Sequence, residues 1–81
     1  MDTAGVKEML TYIVSNLVEK PEEIQITILD NGNSVTLQLR VAAEDMGRVI
    51  GRQGRIAKEI RTLIKTMGLR EDTRVMVDIL D

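Results

Sequence analysis

The 81-residue chain has no cysteine and no histidine. Disulfide staples, thiol nucleophiles, Cys/His zinc sites and every imidazole-based catalytic arrangement are thereby excluded. Phenylalanine and tryptophan are also missing and Tyr12 is the single aromatic, which argues against an aromatic cage or a platform on which bases stack. The longest uncharged stretch lies between Glu8 and Glu19 and contains Thr11, Ser15 and Asn16. It is too short and too polar for a membrane span or a signal peptide, so no membrane partner is expected and the cytoplasm is the expected location. Proline occurs once and glycine six times, too few for a collagen-like or linker-dominated chain. With 43% apolar and 30% charged residues, the composition is that of one small globular domain, residues 1–81, without room for a second core.

Against these absences stands an uneven distribution of charge. The formal net charge is −2, which taken alone lowers the expectation of a nucleic-acid partner. From Arg48 to Lys65, however, Arg48, Arg52, Arg55, Lys58, Arg61 and Lys65 face the single acid Glu59, whereas the remainder carries five basic against twelve acidic side chains. One segment is basic and the rest is acidic.

Hydrophobic periodicity divides the chain into six elements. Val6, Met9, Leu10, Ile13, Val14 and Leu17 recur at helical spacing and predict a helix over about residues 5–18, stopped by Pro21. Ile24, Ile26 and Ile28, then Val35, Leu37, Leu39 and Val41, alternate with polar residues and predict two strands. The connection from Asp30 to Ser34 is polar and contains Gly32, which suits an antiparallel hairpin. A helix of about two turns is expected from Ala42 to Gly51, with Glu44 and Asp45 near its positive end. A longer one is expected over about residues 55–67, capped by Gly68, with Ile56, Ala57, Ile60, Leu63, Ile64 and Met67 on its apolar side. Val75, Val77 and Ile79 predict a last strand. The order helix, strand, strand, helix, helix, strand predicts an α+β two-layer fold, a three-stranded mixed sheet packed on three helices. Leu29, Ala42, Met76 and Leu80 are the apolar residues assigned to the opposite sheet face.

The chemistry-bearing segment is Gly51-Arg52-Gln53-Gly54, a two-residue polar turn bracketed by glycines between two helices. Glycine leaves room for a ligand backbone, and amides opening the following helix lack intrahelical acceptors and suit a phosphate. Arg52 offers charge-assisted bonds and Gln53 a neutral amide donor. Arg48, Arg55 and Lys58 continue the electrostatic track, and Arg40, Arg61 and Lys65 are candidate extended contacts. Val49, Ile50 and Ile56, with Leu39 or Val41, are candidate walls of a groove for bases. Neither a P-loop nor a dinucleotide fingerprint is present, because the glycine spacing and the preceding strand that each requires are missing. The same glycine spacing also occurs in plain helix–helix turns, and a basic helix face can serve only to solvate.

From Ala43 to Lys58 the sequence AEDMGRVIGRQGRIAK, with its G-x-x-G loop, resembles a KH domain of the prokaryotic, type II topology, and end to end the chain is similar to the small stand-alone bacterial KH-domain proteins of the A type. The resemblance implies a type II KH fold and a loop that clamps four nucleotides of single-stranded RNA by their backbone. It further implies cytoplasmic RNA binding without enzymatic activity or cofactor and an RNA-chaperone or post-transcriptional role. A homodimer, or a heteromer with a larger KH-domain protein B, is implied as well, with links to cell elongation, cell shape and peptidoglycan homeostasis. Backbone contacts of this kind position a strand without reading it, so a single module should bind weakly, in roughly the micromolar range, with modest sequence preference. The competing reading is an interaction or scaffold module that offers its basic helix and sheet edge to an acidic partner. An enzyme fits least well, since Glu44 and Asp45 are adjacent and not one turn apart, and a helix cap is their expected use.

Overall fold

The computed structural model describes residues 3–81. Helix α1 (Thr3–Ser15) is followed by strands β1 (Gln25–Asp30) and β2 (Ser34–Arg40), helices α2 (Met46–Ile50) and α3 (Arg55–Leu69), and strand β3 (Arg74–Ile79). Short 3-10 turns lie at Pro21–Glu23, Ala43–Asp45 and Arg52–Gly54. The expected order of elements and the mixed sheet are both present.

β1 pairs antiparallel with β2, from Gln25 opposite Arg40 to Asp30 opposite Val35. The hairpin closes through side chains that mimic backbone acceptors: Asp30 Oδ1 takes the Gly32 amide at 2.9 Å and Asn31 Oδ1 takes the Ser34 amide at 3.0 Å. β3 pairs parallel with the other edge of β2. A parallel neighbour requires a crossover, which α2 and α3 supply across one face of the sheet. Alternation along β2 and β3 sends Val35, Leu37, Leu39, Val75 and Val77 into that face, where they meet Val6, Leu10 and Val14 of α1, Val49 of α2, and Ile60 and Ile64 of α3. The opposite face carries no layer among the described residues.

Several local expectations are corrected by contacts between distant segments. α1 ends at Ser15, not near residue 18, because the Ser15 hydroxyl and the Asn16 side-chain Nδ2 both donate to the Tyr12 carbonyl at the last turn while the Asn16 backbone amide turns to the Ile13 carbonyl. Pro21 is therefore not the stop; it opens the following 3-10 turn. The segment from Ala42 is not one helix, since Ala43–Asp45 is a 3-10 turn and α2 is only five residues long. Asp45 is buried at 1% exposure and does not cap its own helix; its carboxylate accepts the amides of Glu19 and Lys20, each at 3.0 Å. Gly68 lies inside α3 and is no cap. A Cβ there would stand 2.5 Å from Val75 Cγ2 and 2.6 Å from the Thr73 carbonyl oxygen, so a side chain is excluded where α3 crosses the start of β3. Ala42 is buried and not on an open sheet face, while Met9 and Leu63, expected in the core, are exposed. Both flank the apolar stripes of their helices, and helical spacing alone does not separate the centre of a stripe from its margin.

Candidate nucleic-acid interface

The α2–α3 connection reverses the chain within four residues through a run of positive φ. Gly51 has φ +75° and ψ 174°, Gln53 has φ +58°, and Gly54 has φ +74°. Gly51 donates to the Gly47 carbonyl at 2.9 Å, ending α2, and Gly54 donates to the Gly51 carbonyl at 3.2 Å. Between them, the amides of Arg52 and Gln53 donate to no protein acceptor among the described residues. Gln53 holds a left-handed conformation that costs a non-glycine residue about 1 kcal/mol.

The two glycines do different work. A Cβ on Gly51 would lie 2.6 Å from Ile56 Cγ1, so this glycine is demanded by the protein's own packing as well as by its φ. Nothing lies within 4 Å of a Cβ built on Gly54. The surface over Gly54 is open, and its lack of a side chain leaves space for an approaching backbone.

The cations divide in the same way. Arg52, Arg55 and Lys58 are exposed around the turn, and Arg55 makes only a long bond of 3.4 Å to Gln53 Oε1. Arg48 is engaged internally, with its guanidinium on the Glu19 carboxylate and its Nε 3.3 Å from Asp45 Oδ1. The amide of Glu19, helped by that of Lys20 and by the Arg48 charge, holds the Asp45 carboxyl below the usual carboxylate range against the opposing effect of burial. Lys20 also meets Glu44 at 2.6 Å. The resulting network ties the α1–β1 connection to the start of α2, the helix that leads into the glycine turn.

Of the candidate groove walls, Val49 and Leu39 are fully buried in the core, and Val41 and Ile56 are half-buried against it. Ile50 alone stands open to solvent. Two depressions flank α3 instead. One, of about 280 Å³, lies toward α1 between Ile13, Leu17, Ile56, Ile60 and Leu63. The other, of about 330 Å³, follows β3 and is bordered by Arg61 and Lys65 on one side and Val75 to Asp78 on the other. Here the edge of β3 is unpaired among the described residues. The Leu80 amide donates to Leu39, which is in register with Ile79, so even-numbered residues of β3 face β2 and the amides and carbonyls of Val75, Val77 and Ile79 face outward. Arg61 Nε donates to the Val77 carbonyl at 3.3 Å, placing its guanidinium across that edge. Arg61 and Lys65 thus border one groove, whereas Arg40 lies beyond it, on the outer sheet face with its guanidinium on the Asp81 carbonyl. Sequence reasoning invoked a sheet edge without identifying β3 as the strand beside the basic helix, because alternation marks which side chains point inward and is silent on which strand ends the sheet.

No helix among the described residues is long and apolar enough to cross a membrane. A family model described as "KhpA/KhpB, KH domain" matches residues 7–79. The RNA-binding protein KhpA of Clostridium acetobutylicum is 48% identical over 75 residues, covering 93% of this chain and 100% of that protein. The proteins of the same name from Listeria monocytogenes and Chlamydia trachomatis are 45% and 41% identical, each over 94% of this chain and over 100% and 97% of their own lengths. Among solved structures, a crystal structure of a point variant of Aquifex aeolicus Era bound to GDP and AlF4− matches with a TM-score of 0.61 at 21% identity, over 91% of this chain and 29% of that one. At that identity the likeness is one of fold.

Proposed function

The chain belongs to the KhpA/KhpB KH-domain family, and we propose that it binds single-stranded RNA by clamping the sugar–phosphate backbone at Gly51-Arg52-Gln53-Gly54. The observation that carries this reading is the exposed turn itself, with two unbonded amides, open space over Gly54 and the exposed cations Arg52, Arg55 and Lys58 around it. Phosphate oxygens take up the Arg52 and Gln53 amides, the N-terminal end of α3 and the guanidinium groups favour negative charge, and no acidic side chain intrudes between Arg48 and Lys58. The base edges then fall toward the groove between α3 and β3, where the outward amides of Val77 and Ile79 and the Ile79 carbonyl offer donors and an acceptor, and the Arg61 guanidinium on the Val77 carbonyl offers further donors. Ile50 lines the approach, and Val49 supports the turn from the core. Arg48 contributes field more than contact, being held by Glu19 and Asp45.

In the cell the protein acts, on this reading, in the cytoplasm as an RNA chaperone or post-transcriptional regulator. It works as a homodimer or with a larger KH-domain protein B, in processes that bear on cell elongation, cell shape and peptidoglycan homeostasis. Support for these assignments is family membership alone.

The test is the double variant Arg52→Asp/Gln53→Asp. Both side chains are exposed, and aspartate tolerates the left-handed conformation at position 53 at least as well as glutamine. The melting temperature should stay within a few degrees. Affinity for single-stranded RNA, followed by fluorescence anisotropy, should fall by about 30-fold or more, the worth of one or two charge-assisted bonds plus the added repulsion. A folded double variant that binds like the parent refutes the clamp.

A further inference from the structure

The groove along β3 does not end at Lys65. Beyond it lies a larger concavity of about 610 Å³, bordered by Asn33 of the hairpin turn, Lys65 and Leu69 of α3, Asp72, Arg74 and Met76. Lys65, Val75 and Met76 border both depressions, so the two form one channel that follows the open edge of β3 from Asp78 to the hairpin. Leu69 is 61% and Met76 44% exposed, which provides apolar surface against which the face of a base can lie. Lys65 and Arg74 make no ion pair or side-chain hydrogen bond among the described residues, leaving both charges for phosphate. The Asn33 side-chain amide supplies a donor and an acceptor to the lining and the Asp72 carboxylate, on a residue of φ +55°, supplies acceptors, and the outward amide and carbonyl of Val75 add one of each.

We propose that this distal part of the channel is a second nucleotide subsite, occupied by the continuation of the same strand, so that the footprint exceeds the four nucleotides of the loop and its adjoining groove. The inference rests on the RNA reading above. Continuity of the groove and of the cation track favours a polyanion over a peptide strand added to β3, since a peptide would meet Arg61 already lying on the Val77 carbonyl.

The experiment compares random-sequence RNA tetramers and octamers by anisotropy at fixed salt. An octamer offers five registers to a four-nucleotide site, which gives about fivefold, whereas an occupied second subsite should bring the ratio to about 50-fold. The exposed substitution Leu69→Ser, at a residue that borders only the distal concavity, should return the ratio to about fivefold with tetramer affinity unchanged. Arg74→Gln, a single exposed substitution, should lower the salt dependence of octamer binding by about 0.7 in the log–log slope and leave that of the tetramer alone. A parental ratio near fivefold, or ratios indifferent to these substitutions, overturns the extended footprint while the loop clamp stands. Failure of both oligomers to bind overturns the RNA reading and the subsite with it.

Discussion

The base and the tip of the α2–α3 turn adjoin in sequence and are built on opposite principles. At the base, Val49 is fully buried, Gly51 is pressed against Ile56, and Asp45 behind them is locked onto the Glu19 and Lys20 amides. At the tip, Arg52, Gln53 and Gly54 touch almost nothing. Rigid support beneath unsatisfied donors means that little ordering entropy remains to be lost when a ligand arrives, and this preorganisation is how a turn with so few contacts can hold a backbone.

The largest effect that would sharpen this contrast is expected at the base. Gly51→Ala forces a Cβ into Ile56 at positive φ and should cost about 2–3 kcal/mol, or roughly 10–20 °C in Tm for a domain of this size, read by thermal denaturation. Equal stability of Gly51→Ala and the parent would show that the base is not packed as described. Gly54→Ala meets only the conformational penalty, about 1 kcal/mol. Its larger consequence should be in binding, about tenfold weaker RNA affinity, because the added methyl stands where the strand approaches. If the two alanine variants lose stability alike, the division between base and tip disappears.

Acid provides a further probe of the base. The folded Asp45 carboxyl titrates below its unfolded value of about 3.9. Its stabilising contribution is therefore complete above about pH 4 and is lost as pH falls through the folded value. Melting temperature followed from pH 6 to pH 2 should decline at the acid end in the parent, and Asp45→Asn should start lower and decline less. Parallel profiles would contradict the tie between Asp45 and the α1–β1 connection. The smallest change belongs to Lys58→Gln, which should leave Tm unaltered and reduce the salt slope of RNA binding by about 0.7, the share of one phosphate contact.

Much of this arrangement was legible in local patterns. The hairpin was marked by Asp30, Asn31 and Gly32, and the side chains of the first two do close it. The alternation of Val35, Leu37 and Leu39 placed β2 in the core, and the glycine turn was marked by its spacing and by the cations that begin there. Asp45 was not legible in its actual use, because its partners lie 25 and 26 residues away and an aspartate at a helix start ordinarily caps that helix. Gly68 misled for a similar reason: glycine near a helix end usually signals a cap, whereas here the close passage of Val75 and Thr73 requires it. Val49 and Leu39 looked like groove walls because an apolar residue near a site reads the same whether it faces solvent or core.

By itself, then, the sequence determined the succession of elements, the glycine-bracketed turn and the segregation of basic charge, all of which depend on neighbours within a few residues, where backbone sterics and side-chain periodicity act directly. The tertiary structure alone decided that β3 forms an open edge beside Arg61 and Lys65, that Gly51 faces inward while Gly54 faces out, and that Asp45 anchors a distant loop. Those outcomes depend on how layers pack across large separations in sequence, and the packing is settled by the shared core as a whole, not by any one segment.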